Sequence, residues 1–172
     1  MKESLKEQLA KTFHIPIKKT VEEKIKTFPR IKGNQIKRGA VIYAPLGEEE
    51  GVKVLGGYRV KNKFAVILGE SAEGMIIGSL LVNTKAHTGS EAVDSCQYPL
   101  KESNYKWLDY SSWLDCSCLK EIPRQKVKSA RFCGNLNQED LDLAIKCIQD
   151  THLINDKTKK KFGLFKPKET AK

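Results

Sequence analysis

Two apolar runs separated by a short polar turn dominate the hydrophobic pattern of the chain. The first covers residues 64–68 and the second covers residues 75–82, and both are rich in β-branched side chains. Each run is much shorter than the roughly 20 apolar residues that a membrane-spanning helix needs, so buried strands are predicted. The intervening residues 70–74 are polar and end in Gly74, which is typical of a hairpin turn. We therefore expect the rest of the fold to close over this hairpin.

The residues before the strands have a helical pattern. Apolar side chains recur at helical spacing over residues 3–13, and a second short helix is predicted over residues 20–27 with Thr20 as its N-cap. Prolines on either side of the second segment separate these pieces. Residues 1–36 are therefore interpreted as a helical N-terminal extension.

From residue 40 onward the pattern is that of a β protein. A first strand is predicted over residues 40–44, ended by Pro45 and followed by a loop, residues 47–57, that contains several glycines and three consecutive glutamates. A glycine-rich loop can cradle phosphate, but the glutamates would repel it, so a mobile surface loop is favoured. Further short strands are predicted near residues 96–100, 112–116, 120–123 and 127–132.

The clearest helix start in the sequence lies at Asn137. Asparagine is a good N-cap, and acidic residues follow it in the first turn, where they favour the helix dipole. Leu136 and Leu141 have the spacing of a hydrophobic staple, and apolar residues continue along one face of residues 138–149. The whole pattern predicts a mainly β protein of the α+β class, a small β-barrel with a C-terminal helix packed against it.

Charge is concentrated at the two ends of the chain. The net charge of the 172 residues is +10, but residues 1–38 carry 11 Lys/Arg against 4 Asp/Glu, and residues 157–172 carry 7 against 1. The central part has a small negative charge. The basic ends are interpreted either as an arm for nucleic acid or as solubilising, disordered segments. Residues 155–172 are predicted to form a basic tail whose Phe162, Leu164 and Phe165 can still dock.

The five cysteines do not have the spacing of a disulfide framework, which favours free thiols in a reducing compartment. A metal site that combines some of them with His87 or His152 is the alternative interpretation, as is a thiol enzyme that uses Cys116 or Cys118. The first residues contain no apolar secretory leader. The expected location is the cytoplasm.

Five short motifs follow one another in an order that resembles the PemK/MazF family of toxin-antitoxin ribonucleases. They are a glycine and strand at residues 37–43, a basic residue before an apolar strand at 63–68, a strand ending in threonine at 80–84, a serine-containing strand at 112–122, and a Gly-x-Leu turn followed by a helix at 134–149. The resemblance covers residues 37–154 and implies an SH3-like barrel. Lys63-Phe64 stands where the family has Arg-Pro.

The resemblance implies cleavage of single-stranded RNA without a metal ion or other cofactor, with the 2′-OH of the RNA as nucleophile. Lys63 would then stabilise the developing charge and Thr84 would donate a hydrogen bond, because this reaction needs both groups beside the phosphate. His87 is a further acid/base candidate by residue type. The implied RNA-binding residues are Arg59, Lys61 and Lys85, and the implied partners are an acidic antitoxin protein and a second copy of the chain.

The alternative to catalysis is an SH3-like module that binds nucleic acid or a protein partner without cutting it. The missing Arg-Pro pair and the slightly negative central region favour this interpretation. Lys63 is then a solvated charge at a strand end and Thr84 a turn residue. Trp107, Trp113 and Tyr110 are candidates for stacking on bases, with burial in the core as the alternative.

Overall fold

The computed structural model describes residues 21–86, 88–167 and 169. The helix predicted over residues 3–13, the N-cap Thr20 and the candidate His87 therefore lie outside the described residues. Within the described part, the chain forms an antiparallel sheet of seven strands with a few helices. The predicted mainly β, α+β class is confirmed.

All seven strands pair antiparallel in one sheet. They are β1 (Ala40–Gly47), β2 (Val60–Glu70), β3 (Ile76–Asn83), β4 (Gln97–Leu100), β5 (Ser112–Asp115), β6 (Lys120–Pro123) and β7 (Arg131–Asn135). Their order is β4-β5-β3-β2-β1-β7, and β6 pairs with the first half of β3, beyond the end of β5. No strand pairing among the described residues joins β7 to β6, so the sheet is not closed.

The predicted hairpin is the centre of this sheet, and it contains a β-bulge. Gly69 pairs with Gly78, whereas Ile67 pairs with Ser79, so Leu68 is an extra residue on β2. The carbonyl oxygen of Leu68 accepts a hydrogen bond from Nε of Arg38 at 2.6 Å. The bulge shifts the pairing of every residue that precedes it on β2 by one position.

The first strand does not end at Pro45, as predicted, but continues to Gly47. The strand β7 pairs with β1 only as far as Tyr43 opposite Arg131, so this side of β1 has no neighbouring strand at Pro45. A proline lacks the N–H that a ladder needs and is tolerated at such an edge. On its other side Pro45 still pairs with Asn62 of β2.

The glutamate-rich loop is only partly the surface loop that was predicted. Glu48–Glu50 forms one turn of 3₁₀ helix, and the side chain of Glu50 is buried with 4% exposure. Its carboxylate accepts a hydrogen bond from the N–H of Gly47 at 2.7 Å and forms an ion pair with Lys126 at 2.5 Å. The first part of the loop is therefore anchored, and residues 55–59 form its exposed part.

The described helices are α1 (Val21–Lys26), α2 (Glu91–Asp94), α3 (Arg124–Val127), α4 (Gln138–Asp150) and α5 (Asp156–Lys161). Helix α4 begins as predicted, because the Asn137 side chain accepts a hydrogen bond from the N–H of Asp140 at 2.8 Å. The staple residues Leu136 and Leu141 are both buried. None of the helices in the described residues is long and apolar enough to cross a lipid bilayer.

The strand predicted over residues 127–132 is only partly correct. Residues up to Val127 belong to α3, and the strand β7 begins at Arg131. Val127 is fully buried although it is helical, so its apolar character did not distinguish a helix end from a strand.

The central strands bury side chains on both faces, which explains why their sequences are continuously apolar. On one face, Val66, Leu80 and Leu114 pack against the apolar side of α4. On the other face, residues from β1, β2, β3 and β6 form a second core that also includes Ile31; these residues are Ile42, Ile67, Ile77 and Ile122.

The predicted docking of the C-terminal segment is confirmed for Phe162 and Leu164, which are each 1% exposed. The ring of Phe162 lies against Gly78 of β3, and its carbonyl oxygen lies against Gly69 of β2. A Cβ atom at Gly78 would be 2.7 Å from that ring, and one at Gly69 would be 2.3 Å from that oxygen. The two glycines therefore form the surface on which the C-terminal segment packs.

The described part of the N-terminal extension also packs on the domain. Ile25 of α1 is buried, and Lys24 forms an ion pair with Asp109. The N–H of Ile31 donates to the carbonyl of Ala130 at 2.9 Å. Residues 21–36 are thus attached to the sheet at several points.

Candidate nucleic-acid interface

The basic residue Lys63 lies near the start of β2, on the same face of the sheet as Asn83 and Trp113. The Nζ atom of Lys63 donates a hydrogen bond to Oδ1 of Asn83 at 2.7 Å. Trp113 of β5 is the cross-strand partner of Asn83, and partners of this kind share a face. Lys61 and Asp115 have the same orientation, since they lie two residues from Lys63 and Trp113 on their strands. We call these five residues the Lys63 face.

The ammonium of Lys63 is half-buried, and its only described hydrogen-bond partner is neutral. Burial lowers the pKa of Lys63, repulsion from Lys61 lowers this pKa further, and attraction to Asp115 offsets part of the shift. Among the described residues no carboxylate lies within 4 Å of Nζ. A partly desolvated cation without an ion-pair partner is stabilised by an incoming anion such as phosphate.

The described hydrogen bond of Lys63 goes to Asn83 and not to its predicted partner Thr84. Thr84 follows the end of β3, is exposed, and lines a pocket together with Asn83, Phe64 and Val82. Phe64 and Val82 lie on the sheet face opposite to Lys63, because they alternate with Lys63 and Asn83 along their strands. The pocket has a volume of about 50 Å³, which is enough for one or two water molecules and not for a nucleotide base.

The bulge explains this arrangement. If the pairing of Gly69 with Gly78 continued without interruption, Lys63 would lie opposite Thr84. The extra residue Leu68 shifts the register by one, so that Asn83 lies opposite Lys63 instead. The structure therefore brings together Lys63 and Asn83, and Thr84 is the next residue along the chain after this pair.

The remaining predicted RNA-binding residues are exposed around the ends of the same hairpin. Arg59 directly precedes β2, Lys61 lies within it, and Lys85 follows Thr84 after β3. Next to Arg59 the loop carries Tyr58, which is 77% exposed. The roles of all three basic residues remain predictions.

The aromatic candidates for base stacking have different environments. Trp107 is buried at 3% exposure, and its ring lies 5.0 Å from the ring of Phe64, so it belongs to the core. Trp113 is half-buried on the Lys63 face, and Tyr110 is 53% exposed. Trp113 is therefore the aromatic residue that shares a surface with the cation.

Sequence reasoning missed Asn83 and Asp115 as members of this site. The carboxylate of Asp115 accepts hydrogen bonds from Ser117 and from Nε2 of Gln97 at 2.9 Å, which hold it near Lys63. The sequence did contain one indication that Asn83 belongs to a site, because it is a polar residue at the end of an otherwise apolar strand. The pairing with Lys63 depends on the bulge, which the sequence did not reveal.

The described residues contain no group of three or more His, Cys, Asp or Glu that could hold a metal ion. The five cysteines are free thiols, of which Cys116 is buried and Cys118 exposed. No protein-family model matches the chain. No curated protein is significantly similar to it.

Proposed function

We propose that the protein is a metal-independent endoribonuclease of the PemK/MazF-like toxin type, and that single-stranded RNA binds and is cut at the Lys63 face. The observation that carries the proposal is the half-buried ammonium of Lys63, which has an amide as its partner and an aromatic ring on the same surface. This combination suits a phosphate with an adjoining base. The resemblance in motif order supports the same function.

The same resemblance leads us to propose that the sheet is a variant of the SH3-like barrel. The second core supports this, because side chains of β1, β2, β3 and β6 meet there although β1 and β6 do not pair. Strands that are not neighbours contact one another across a core when a sheet curls strongly.

In the proposed reaction, the 2′-OH loses its proton to solvent as its oxygen attacks the adjacent phosphorus, the P–O5′ bond breaks, and the 5′ oxygen leaves with a proton, which produces a cyclic phosphate and a free 5′-OH. Lys63 stabilises the additional negative charge on the phosphoryl oxygens. Its lowered pKa also makes it a better proton donor to the leaving 5′ oxygen than an ordinary lysine. We propose that Asn83, rather than Thr84, donates to a nonbridging oxygen, since Oδ1 of Asn83 faces Lys63 and leaves Nδ2 for a ligand.

The exposed cations around the hairpin ends supply the expected binding surface. Arg59, Lys61 and Lys85 would contact neighbouring phosphates, and each contact contributes to a salt-dependent affinity. An acidic antitoxin segment would bind the same cations and thereby block the site. The competition between RNA and an acidic peptide is a further consequence of the proposal.

The test is incubation of the purified chain with a long single-stranded RNA in the presence of EDTA, followed by mapping of the fragment ends. The wild-type protein should produce discrete fragments with cyclic phosphate ends. Because general acid-base catalysis contributes about 10²–10⁴-fold, Lys63→Met should slow cleavage by at least about 100-fold. Asn83→Ala should also slow cleavage, whereas Thr84→Ala should retain it.

Lys157→Met is the matched control, because it makes the same substitution at an exposed lysine on α5. Cleavage that persists in Lys63→Met, or RNA left intact by folded wild-type protein free of any co-purified partner, would overturn the proposed activity. A loss of cleavage in Thr84→Ala together with full activity of Asn83→Ala would instead restore the original pairing of Lys63 with Thr84.

Binding without cleavage is the second candidate function, and the hydrogen bond of Lys63 to Asn83 in place of the expected Thr84 favours it. Fluorescence anisotropy with a labelled single-stranded RNA at several salt concentrations distinguishes the two. Intact RNA that is bound with an affinity falling steeply with salt, and more weakly by Lys63→Met, supports a binding module.

A further inference from the structure

The carboxylate of Asp115, on the Lys63 face, uses only one of its two oxygens within the protein. Oδ1 accepts hydrogen bonds from Nε2 of Gln97 at 2.9 Å, from the N–H of Ser117 at 3.1 Å and from the hydroxyl of Ser117 at 2.5 Å. In the part of the chain that the structure describes, Oδ2 accepts no hydrogen bond and has no cation within 4 Å. Because each carboxylate oxygen has two lone pairs, Oδ2 is a free acceptor for a ligand.

This acceptor is accessible and is held in place. Among the described residues, the buried side-chain atoms without a hydrogen-bond partner are Oε1 of Gln97 and Nε1 of Trp107. Oδ2 of Asp115 and Nδ2 of Asn83 have no described partner either and are not buried, so both have access to solvent. Nε2 of Gln97 also donates to the carbonyl of Val93 at 3.2 Å, which fixes the amide that holds Asp115. The acceptor is therefore preorganised.

A stacking ring and a cation lie beside this acceptor. Trp113 precedes Asp115 by two residues on β5 and shares its face, and the cross-strand partner of Trp113 is Asn83, which accepts the hydrogen bond of Lys63. Lys63, Asn83 and Trp113 thus lie on three successive strands. With strands about 4.8 Å apart, the backbones at Lys63 and Trp113 are about 10 Å apart. One nucleotide can cover this span, with its phosphate at the ammonium and its base on the indole.

We propose that the Lys63 face selects guanine in single-stranded RNA, with Oδ2 of Asp115 accepting from the N1–H and the N2 amino group of the base. The inference rests on the proposed function, since it takes RNA as the ligand of this face. Unstacked bases in single-stranded RNA are commonly recognised by stacking on an aromatic side chain and by hydrogen bonds to their Watson–Crick edge. Hydrogen bonds to an ionised acceptor are the stronger ones.

The choice of guanine follows from the arrangement of free groups. Guanine presents two N–H groups side by side with the acceptor O6 next to them, which matches Oδ2 of Asp115 and the donor Nδ2 of Asn83. Uracil has one N–H between two carbonyl oxygens, and a carboxylate repels those oxygens. Adenine and cytosine each have one amino group beside a ring nitrogen that carries no proton. Guanine is therefore the base that gives Oδ2 two donors at once.

The test measures binding separately from cleavage. Short fluorescent oligouridines carrying 2′-O-methyl groups have no free 2′-OH, so they cannot be cut by the proposed reaction. Fluorescence anisotropy compares such probes whose central base is uracil, adenine, cytosine, guanine or hypoxanthine. The wild-type chain should bind the guanine probe at least about fivefold more tightly than the uracil, adenine and cytosine probes. Hypoxanthine lacks only the N2 amino group and should bind more weakly than guanine.

The variant Asp115→Asn tests the assigned residue. Asparagine keeps an oxygen for Gln97 and Ser117 but places an amide NH₂ where Oδ2 was, so the guanine preference should disappear. Asp142→Asn is the matched control, because it makes the same substitution at an exposed residue of α4, and it should retain the preference. Equal affinities of the wild type for all probes, equal binding of guanine and hypoxanthine, or a preference that persists in folded Asp115→Asn would overturn the inference.

Mapping of fragment ends on cleavable RNA distinguishes failure of this inference from failure of the proposed function. Discrete fragments whose ends follow no particular base, together with equal affinities for the probes, would overturn the guanine site and leave the ribonuclease in place. A guanine preference that Asp115→Asn abolishes, in a chain that leaves RNA intact, would support the guanine site and overturn the cleavage.

Discussion

The contact between Phe162 and Gly78 offers a stringent test of the fold, because a single methyl group should disrupt it. A Cβ atom at Gly78 would lie 2.7 to 2.9 Å from three atoms of the Phe162 ring, well inside normal contact distance. Gly78 does not have a positive φ, so its backbone conformation would accept alanine. The whole effect of Gly78→Ala should therefore come from steric overlap with the ring.

The expected magnitude follows from these distances. Overpacking of a buried site costs about 1–3 kcal/mol, which exceeds the roughly 0.5–1 kcal/mol that alanine gains over glycine in a strand. For a chain of this size, each kcal/mol changes the melting temperature by about 2–4 °C. Gly78→Ala should thus lower the free energy of unfolding clearly, whereas Gly33→Ala, with no atom within 4 Å of the new Cβ, should change it by less than about 0.5 kcal/mol.

A double-mutant cycle then isolates the contact. Phe162→Ala alone should cost about 3–5 kcal/mol because it removes a fully buried ring. In that background Gly78→Ala should cost nothing, since the overlapping ring atoms are gone. The free energies of unfolding would be measured by urea denaturation with circular dichroism. An equal loss of unfolding free energy from Gly78→Ala in both backgrounds would refute the packing of Phe162 on Gly78.

Two further predictions concern stability elsewhere in the fold. Asn137→Ala should destabilise the protein by about 1 kcal/mol in urea denaturation because it removes the N-cap of α4, and Asn137→Asp should restore most of that loss. The pKa of Glu50 is lowered, because hydrogen bonds from Lys126 and the N–H of Gly47 outweigh the effect of burial. Its carboxylate therefore stabilises the fold above its ordinary pKa of 4.5, and this contribution is lost as the pH falls through the lowered folded-state value. Melting temperatures measured between pH 7 and pH 3 should fall less steeply for Glu50→Gln than for the wild type, and parallel curves would contradict this.

Most of the local elements were predictable from the sequence because their signals are local. The apolar runs of β2 and β3, which are short and rich in β-branched residues, and the polar turn between them favour a buried hairpin of this kind. Asn137 and the acidic residues after it define the start of α4 without reference to the rest of the chain. The buried Phe162 was also visible as an apolar residue within a basic segment.

The errors share one physical cause, which is that distant parts of the chain decided the outcome. Pro45 lies inside a strand because β7 stops short of it, and Glu50 is buried because Lys126, far away in sequence, neutralises it. Neither partner is recognisable from the neighbouring residues. A proline and a glutamate in a polar loop have no sequence pattern that distinguishes these cases from ordinary surface positions.

The candidate site shows most clearly which features follow from local sequence and which depend on distant parts of the chain. The apolar pattern alone was enough to predict that a lysine enters the central hairpin and that polar residues lie where the second strand ends. Which of these polar residues contacts Lys63 depends on the folded chain, because the bulge at Leu68 shifts the strand register by one. That bulge is supported from outside the hairpin, by the hydrogen bond from Arg38 and by the Phe162 carbonyl packed on Gly69. Side chains alternate across a strand, so a shift of one residue exchanged Thr84 for Asn83 beside the cation.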